Sequence, residues 1–230
     1  MQDGAWEPDP ECYQVEVRYL EDFKEKMSQT IAHVGTDLDT RDTEIRRSET
    51  NFGNMICDLI RTEWSTDFAI YNAGTFRKND LIEAGPISLE VIQESFPFNE
   101  PNMVVKMSGE LFLECLEWSV SAYPSEEGRF PQVSGFSFYF DPAKPVGKRI
   151  FKDEILPDGG GMFDVNKQYT VAINGFMYGG GDGYSVFKKE GVKTLVDQET
   201  GLGIMEIFKN FCKLTRTDVE IPPRRALTCA

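Results

Sequence analysis

The residues with the clearest chemical potential lie in one stretch, Asn174-Gly175-Phe176-Met177-Tyr178-Gly179-Gly180-Gly181-Asp182-Gly183-Tyr184. Glycine fills four of the five positions from 179 to 183 and frames a single Asp182. Glycine lets a ligand come close to the main chain. A carboxylate accepts two hydroxyl hydrogen bonds, as from a sugar diol, and a ring stacks on a flat ligand. The stretch therefore reads as a loop presenting Asp182 between two rings, Phe176 and Tyr184. The plainer alternative is a glycine-rich turn with a solvated aspartate.

Three other loops combine a polar or cationic residue with small neighbours and an aromatic. Arg46-Arg47-Ser48-Glu49-Thr50-Asn51-Phe52-Gly53-Asn54 lies at a helix start. An arginine fork there suits phosphate, and a helix N-terminus favours anions. A solvated arginine pair beside an N-cap explains the same residues equally well. Asn72-Ala73-Gly74-Thr75-Phe76-Arg77 follows a short apolar run, where binding residues gather at the end of a strand. Asn72 can read a ligand edge and Arg77 can reach an anion; the alternative is a tight turn. Phe96-Pro97-Phe98 offers two rings, of which Phe96 fits a core-capping role at least as well.

The elements that must carry these loops follow from periodicity. Leu20, Phe23, Met27, Ile31 and Val34 recur at helical steps and predict a helix over 13–34, stopped by Gly35. Met55, Ile56, Leu59, Ile60 and Trp64 predict a second helix over 49–64. A short helix from Ser88 to Ser95 and a longer one over 110–123 precede a last one holding Leu202, Met205, Phe208, Phe211 and Leu214. Strands are expected over 68–71, 103–107, 136–140, 169–173 and, as an edge, from Arg149. Residues 128–135 read as a loop. Irregular alternation, with consecutive strands late in the chain, argues an α+β fold with a mixed sheet packed with helices. The chain is expected to divide into an N-terminal linker and long helix over 1–34, a main domain over 35–215 and a polar tail over 216–230.

Composition narrows the function classes. The chain has 230 residues, 24 basic and 38 acidic side chains, and a formal net charge of -14. That balance repels phosphate backbones and anionic lipid, so neither a nucleic-acid polymer nor a membrane is an expected partner. Five cysteines without paired spacing fit a reducing compartment, with Cys57, Cys115 and Cys212 as small buried hydrophobes. His33 is the only histidine. A dinuclear phosphoesterase centre or a histidine triad needs more imidazole. No cofactor or metal is expected on this chain.

Taken in order, Asn51-Phe52-Gly53-Asn54, Asn72-x-Gly74-x-x-Arg77, Phe96-Pro97-Phe98, Phe130-x-Gln132-Val133-x-Gly135 and Gly180-Gly181-Asp182-Gly183-Tyr184 resemble the C-terminal domain of the 5'-nucleotidase family. These are calcineurin-like metallophosphoesterases that include UDP-sugar hydrolases and cyclic nucleotide phosphodiesterases. The resemblance runs from about Tyr13 to Thr215. It implies that 1–34 is a linker and joining helix and 35–215 a substrate-binding domain whose partner, an N-terminal metallophosphoesterase domain, holds two divalent metal ions and performs the hydrolysis. That metal-bearing domain is absent from this chain, so no catalytic residue is expected here and the isolated chain should hydrolyse nothing. The ligand would be a nucleotide or a related phosphorylated small molecule. By the resemblance, Phe98 and Phe176 sandwich the base, Asn72 touches it, and Asp182 takes the ribose hydroxyls. Arg46 and Arg77 face the phosphate, with Arg47 beside them, while Gly74 serves backbone geometry. Asn51 and Asn54 hold their loop. Ala73 stands where the family commonly has glycine, Thr75 and Phe76 add bulk beside the base, and Tyr178 adds a hydroxyl. Family members are often exported, against the intracellular lean of the cysteines. The competing expectation is a non-catalytic interaction module that has kept the fold.

Overall fold

The strand that leads into the glycine loop, Gln168–Asn174, lies at the centre of a five-stranded sheet in the computed structural model, which describes residues 9–215. Its run Tyr169, Val171, Ala172, Ile173 and Asn174 is buried, as a strand covered on both faces requires. The spatial order of the sheet is Lys193–Val196, Asn102–Ser108, Gln168–Asn174, Phe68–Asn72, Pro131–Ser134. Gln168–Asn174 runs parallel to Phe68–Asn72, with Val171 opposite Phe68, and every other pair is antiparallel. The sheet is therefore mixed and the fold α+β, as the sequence predicts.

Helices cover both faces. Phe68 and Tyr71 point to opposite sides of their strand, because side chains alternate. Phe68 stacks on Phe112 of the helix Gly109–Ser119 at 4.9 Å between ring centroids. Tyr71 meets Phe76, which packs edge-on against Phe52 of the helix Asn51–Trp64. That second helix buries Met55, Ile56, Leu59 and Ile60 of the expected stripe, with Phe52 in addition and Trp64 only half-buried, and is capped by Thr50, whose hydroxyl accepts from the Gly53 N–H. Burial pushes the Cys115 thiol up and keeps it protonated, and Cys57 is equally enclosed. Both behave as small core hydrophobes.

The N-terminal helix departs from expectation at both ends. It spans Pro10–Met27, with Asp9 as N-cap and Pro10 in the first turn, where a missing N–H costs nothing. Residues Thr30–Val34 are not its last turns. They form a strand antiparallel to Gly85–Ser88, with Ala32 and Val34 buried and His33 exposed. The β-branched residues Thr30, Ile31 and Val34 favour that outcome, and their period-two burial overrides the helical spacing. The stripe of Leu20 and Phe23 consequently stays exposed, along with Tyr13 and Tyr19.

Three further elements differ. Residues 131–134, expected as loop, form the edge strand Pro131–Ser134; proline is tolerated there because it opens an edge strand. The strand expected over 136–140 shortens to Phe136–Ser137, and the edge expected from Arg149 is a single bridge between Phe140 and Ile150. The helix over 110–123 ends at Ser119. The final helix spans Ile204–Thr215, and the expected tail over 216–230 lies outside the described residues. No described helix is long and apolar enough to cross a membrane.

Candidate functional site

Two strand ends bring the chemistry together. Phe68–Asn72 and Gln168–Asn174 are parallel neighbours, so Asn72 and Asn174 both arrive at the same end of the sheet. Their amides interlock: Asn174 Nδ2 donates to Asn72 Oδ1 at 2.8 Å and to Thr75 Oγ1 at 2.9 Å, and Thr75 Oγ1 donates to Asn72 Oδ1 at 2.5 Å. With its oxygen so occupied, Asn72 must aim its NH2 outward, and it donates to Asp182 Oδ2 at 2.6 Å. The backbone N–H of Met177 donates to Asn174 Oδ1 at 2.8 Å, which caps the short turn Gly175–Tyr178 carrying Phe176.

Asp182 is held from beneath as well. Its backbone sits in the left-handed region at φ 51°, a conformation aspartate tolerates better than most residues. Trp118 Nε1 donates to the Asp182 carbonyl at 2.9 Å. Gly183 lies flat on that indole, where a Cβ would fall 2.3 Å from Cζ2. Gly74 and Gly128 present bare Cα positions to the carboxylate; a Cβ there would meet Oδ2 at 3.1 Å and 2.8 Å. Gly181 likewise lies against the Phe176 ring, 2.4 Å from Cε1 on the same measure.

These parts surround one cavity of about 320 Å³. All seven residues singled out from the sequence line it: Arg46, Asn72, Gly74, Arg77, Phe98, Phe176 and Asp182. The two rings are unusually bare, Phe98 at 67% and Phe176 at 44% exposed. Arg77 stacks over Phe98 with its guanidinium 5.5 Å from the ring centroid. Arg46 reaches the cavity from the loop before the helix Asn51–Trp64, its Nε 3.2 Å from Asp42 Oδ1. That loop is pinned by Gln132, whose Nε2 donates to the carbonyls of Ile45 and Ser48 at 2.9 and 2.8 Å, while its Oε1 accepts from the Thr50 N–H.

Several expectations are corrected. Tyr184 is fully buried; its hydroxyl donates to the Arg129 carbonyl at 2.5 Å, so Asp182 does not stand between Phe176 and Tyr184. Burial pushes the Tyr184 phenol well above its ordinary value, with Cys115 and Asp182 adding to the rise. Tyr178 turns away and shares a hydrogen bond with Thr194, and Phe76 joins the core, so of the bulky departures only Thr75 faces the cavity. Arg47 pairs with Glu126 outside the cavity. Asn51 ties its loop to Asp37 and Asp39, whereas the Asn54 amide is buried without a hydrogen-bond partner.

The sequence reading missed Gly128, Trp118 and Glu100. Gly128 comes from a loop whose role depends on a neighbour 54 positions away in sequence, Asp182. Trp118 was one more large residue on a helix. Its Phe substitution deletes one hydrogen bond to the Asp182 carbonyl. A net cost of about 1 kcal/mol at the loop is expected, read as a roughly five-fold loss of ligand affinity. Unchanged affinity in titration of Trp118→Phe would show that the indole does not position Asp182.

Among the described residues, no group of three or more His, Cys, Asp or Glu is placed to hold a metal ion. The described residues do not fit a dinuclear centre.

The arrangement has parallels among known proteins. The profile of the family described as 5'-nucleotidase, C-terminal domain, matches residues 29–189. The trifunctional nucleotide phosphoesterase protein YfkN of Bacillus subtilis is 30% identical over 191 residues, covering 80% of this chain and 13% of that protein. The crystal structure of a 5'-nucleotidase precursor from Thermus thermophilus superposes with a TM-score of 0.80 at 30% identity, over 92% of this chain and 41% of that one. The NAD nucleotidase of Haemophilus influenzae shares the fold, with a TM-score of 0.75 at 21% identity over 94% of this chain and 40% of that one. The chain thus spans less than half the length of these relatives. The mixed sheet, the order of the five sequence motifs and the profile match agree, and the chain belongs to the 5'-nucleotidase C-terminal domain family.

Proposed function

We propose that this chain is the substrate-recognition part of a 5'-nucleotidase-like phosphoesterase, binding the nucleoside portion of a nucleotide in the cavity bounded by Phe98, Phe176 and Asp182. One observation carries the reading. Residues drawn from four separate loops, Arg46 to Asp182, converge on a single cavity that pairs two exposed rings with a positioned carboxylate. Exposed aromatic side chains lose free energy in water and regain it by stacking on a base, with little base selectivity. A carboxylate held by Asn72 is ready for a diol, and Arg46 and Arg77 supply positive charge at the rim.

The hydrolytic metals, two divalent ions on the family pattern, would sit in an N-terminal metallophosphoesterase domain. The helix Pro10–Met27, with Tyr13, Tyr19, Leu20 and Phe23 exposed, would join the two parts. Polymer binding and membrane attachment are not part of this proposal, given the acidic charge.

Calorimetric titration of the purified chain with adenosine, AMP, UMP and a sugar phosphate tests the reading. Saturable nucleoside binding is expected. Phe176→Ala should weaken it about ten-fold or more, from a loss of roughly 1–3 kcal/mol of base stacking. A folded chain that binds none of these ligands would favour the interaction-module alternative.

A further inference from the structure

The cavity contains a second carboxylate, and it is unengaged. Glu100 lines the same cavity as Phe98, Phe176 and Asp182. No described residue donates a hydrogen bond to its side chain or forms an ion pair with it. It lies two positions after Phe98 and directly against the segment that carries Phe176. Its Oε2 is 3.2 Å from the point a Cβ on Gly175 would occupy, with Gln198 Nε2 at 3.3 Å from that point. Asp182 is instead set against Gly74 and Gly128 and engaged by Asn72. The two carboxylates therefore have separate seats, one held and one open.

Tyr71 shows that the open one is not replaced by a nearby hydroxyl donor. It is buried and also lines the cavity, but its hydroxyl donates to Asn102 Oδ1, whose amide in turn donates to the Leu202 carbonyl at 2.8 Å. Burial foremost, then Cys57 and Glu100, push the Tyr71 phenol well above its ordinary value. Its single proton is committed, so Glu100 takes nothing from it.

We infer that Glu100 reads the edge of a base stacked between Phe98 and Phe176, and that it selects guanine. This rests on the nucleoside-binding reading above. An ionised carboxylate only accepts. Of the common bases, guanine offers it two adjacent donors, N1–H and the N2 amino group, matched to its two oxygens. Hypoxanthine offers N1–H alone. Adenine offers one amino hydrogen beside the N1 lone pair, which a second carboxylate oxygen repels. Uracil offers a single N–H between two carbonyls. Recognition of a base by stacking plus its Watson–Crick edge is a general mode, and charge-assisted bonds are its stronger form.

The test is calorimetric titration of guanosine, inosine and adenosine into the wild-type chain, Glu100→Gln and Asp182→Ala, each checked by thermal melting. Wild type should bind guanosine about ten-fold tighter than inosine or adenosine, the scale of one good bidentate base contact. Glu100→Gln replaces one acceptor by a donor, which disfavours guanine and suits adenine. Its preference should cross over, with guanosine weakened and adenosine strengthened. Saturable binding that Asp182→Ala abolishes, but with no guanosine preference in wild type, would overturn the role of Glu100 and leave nucleoside binding standing. Equal weakening of all three ligands by Glu100→Gln would also overturn it. Absence of nucleoside binding to the folded wild-type chain would overturn both.

Discussion

Replacing Gly53 by alanine is expected to destabilise the fold by about 2–6 kcal/mol. Gly53 lies in the first turn of the helix Asn51–Trp64, where alanine would normally be the better helix former. The sign reverses because a Cβ would fall 2.1 Å from Gln132 Oε1 and 2.6 Å from Cδ. Gln132 is fully buried and cannot step aside without breaking its bonds to the carbonyls of Ile45 and Ser48 and to the Thr50 N–H. Overpacking a buried contact costs about 1–3 kcal/mol, and stranding buried polar groups adds about 1–3 kcal/mol more. For a domain of this size the melting temperature should fall by roughly 10 °C. Gly35→Ala is the control: a Cβ there meets nothing within 4 Å, and its melt should match wild type. A Gly53→Ala melt within about 2 °C of wild type would show that the side chain of Gln132 relaxes freely. The same lock ties stability to the site. Gln132 fastens the carbonyls either side of Arg46, so the surviving folded fraction should lose affinity for a nucleotide more than for the bare nucleoside.

This lock also shows how far the sequence could be read. The motif Asn51-Phe52-Gly53-Asn54 and the motif around Gln132 are recognisable as strings, and their order sufficed to identify the family. Nothing in either string says that Gly53 and Gln132 touch. Local signals worked where the cause was local: the buried stripe of Met55, Ile56, Leu59 and Ile60 gave its helix, and the apolar run at Tyr169 gave the central strand. They failed where pairing decided the outcome. Thr30–Val34 has helical spacing with the residues before it, yet Gly85–Ser88 supplies a partner edge and the strand wins. Pro131–Ser134 carries a proline and no alternation, because all four of its residues are buried at a covered edge. Tyr184 illustrates the limit at the site. Adjacent to Asp182 through Gly183, it reads as a ligand-facing ring, but the tight turn at Asp182 sends its side chain inward to the Arg129 carbonyl. Glu100 was invisible for a related reason. A carboxylate beside Phe98 is unremarkable until Gly175, far along the chain, is seen to face it.

Asp182→Ala should reduce nucleoside affinity by about 100-fold or more, and the form of the loss identifies what the carboxylate holds. A hydrogen bond to a charged group is worth about 1.5–3 kcal/mol, so two hydroxyls on one carboxylate account for at least about 3 kcal/mol. If those hydroxyls are the ribose pair, removing one from the ligand should cost wild type about ten-fold in a 2'-deoxynucleoside. The same deletion should cost the alanine variant almost nothing. Equal discrimination against the deoxynucleoside by both proteins would place the diol elsewhere. Asn72→Ala probes the next layer. The amide donates to Asp182 Oδ2 at 2.6 Å while accepting from Thr75 and Asn174, so it is expected to aim the carboxylate. Its removal should cost less than removal of Asp182, and the two losses should not add. A coupling of about 0.5–3 kcal/mol between them is expected for groups in one network. Additive losses would instead mean that Asn72 touches the ligand on its own account, through the NH2 hydrogen that Asp182 does not use. The deoxynucleoside and the double variant therefore separate a carboxylate that grips from an amide that steers, two roles that the alanine variants alone would confound.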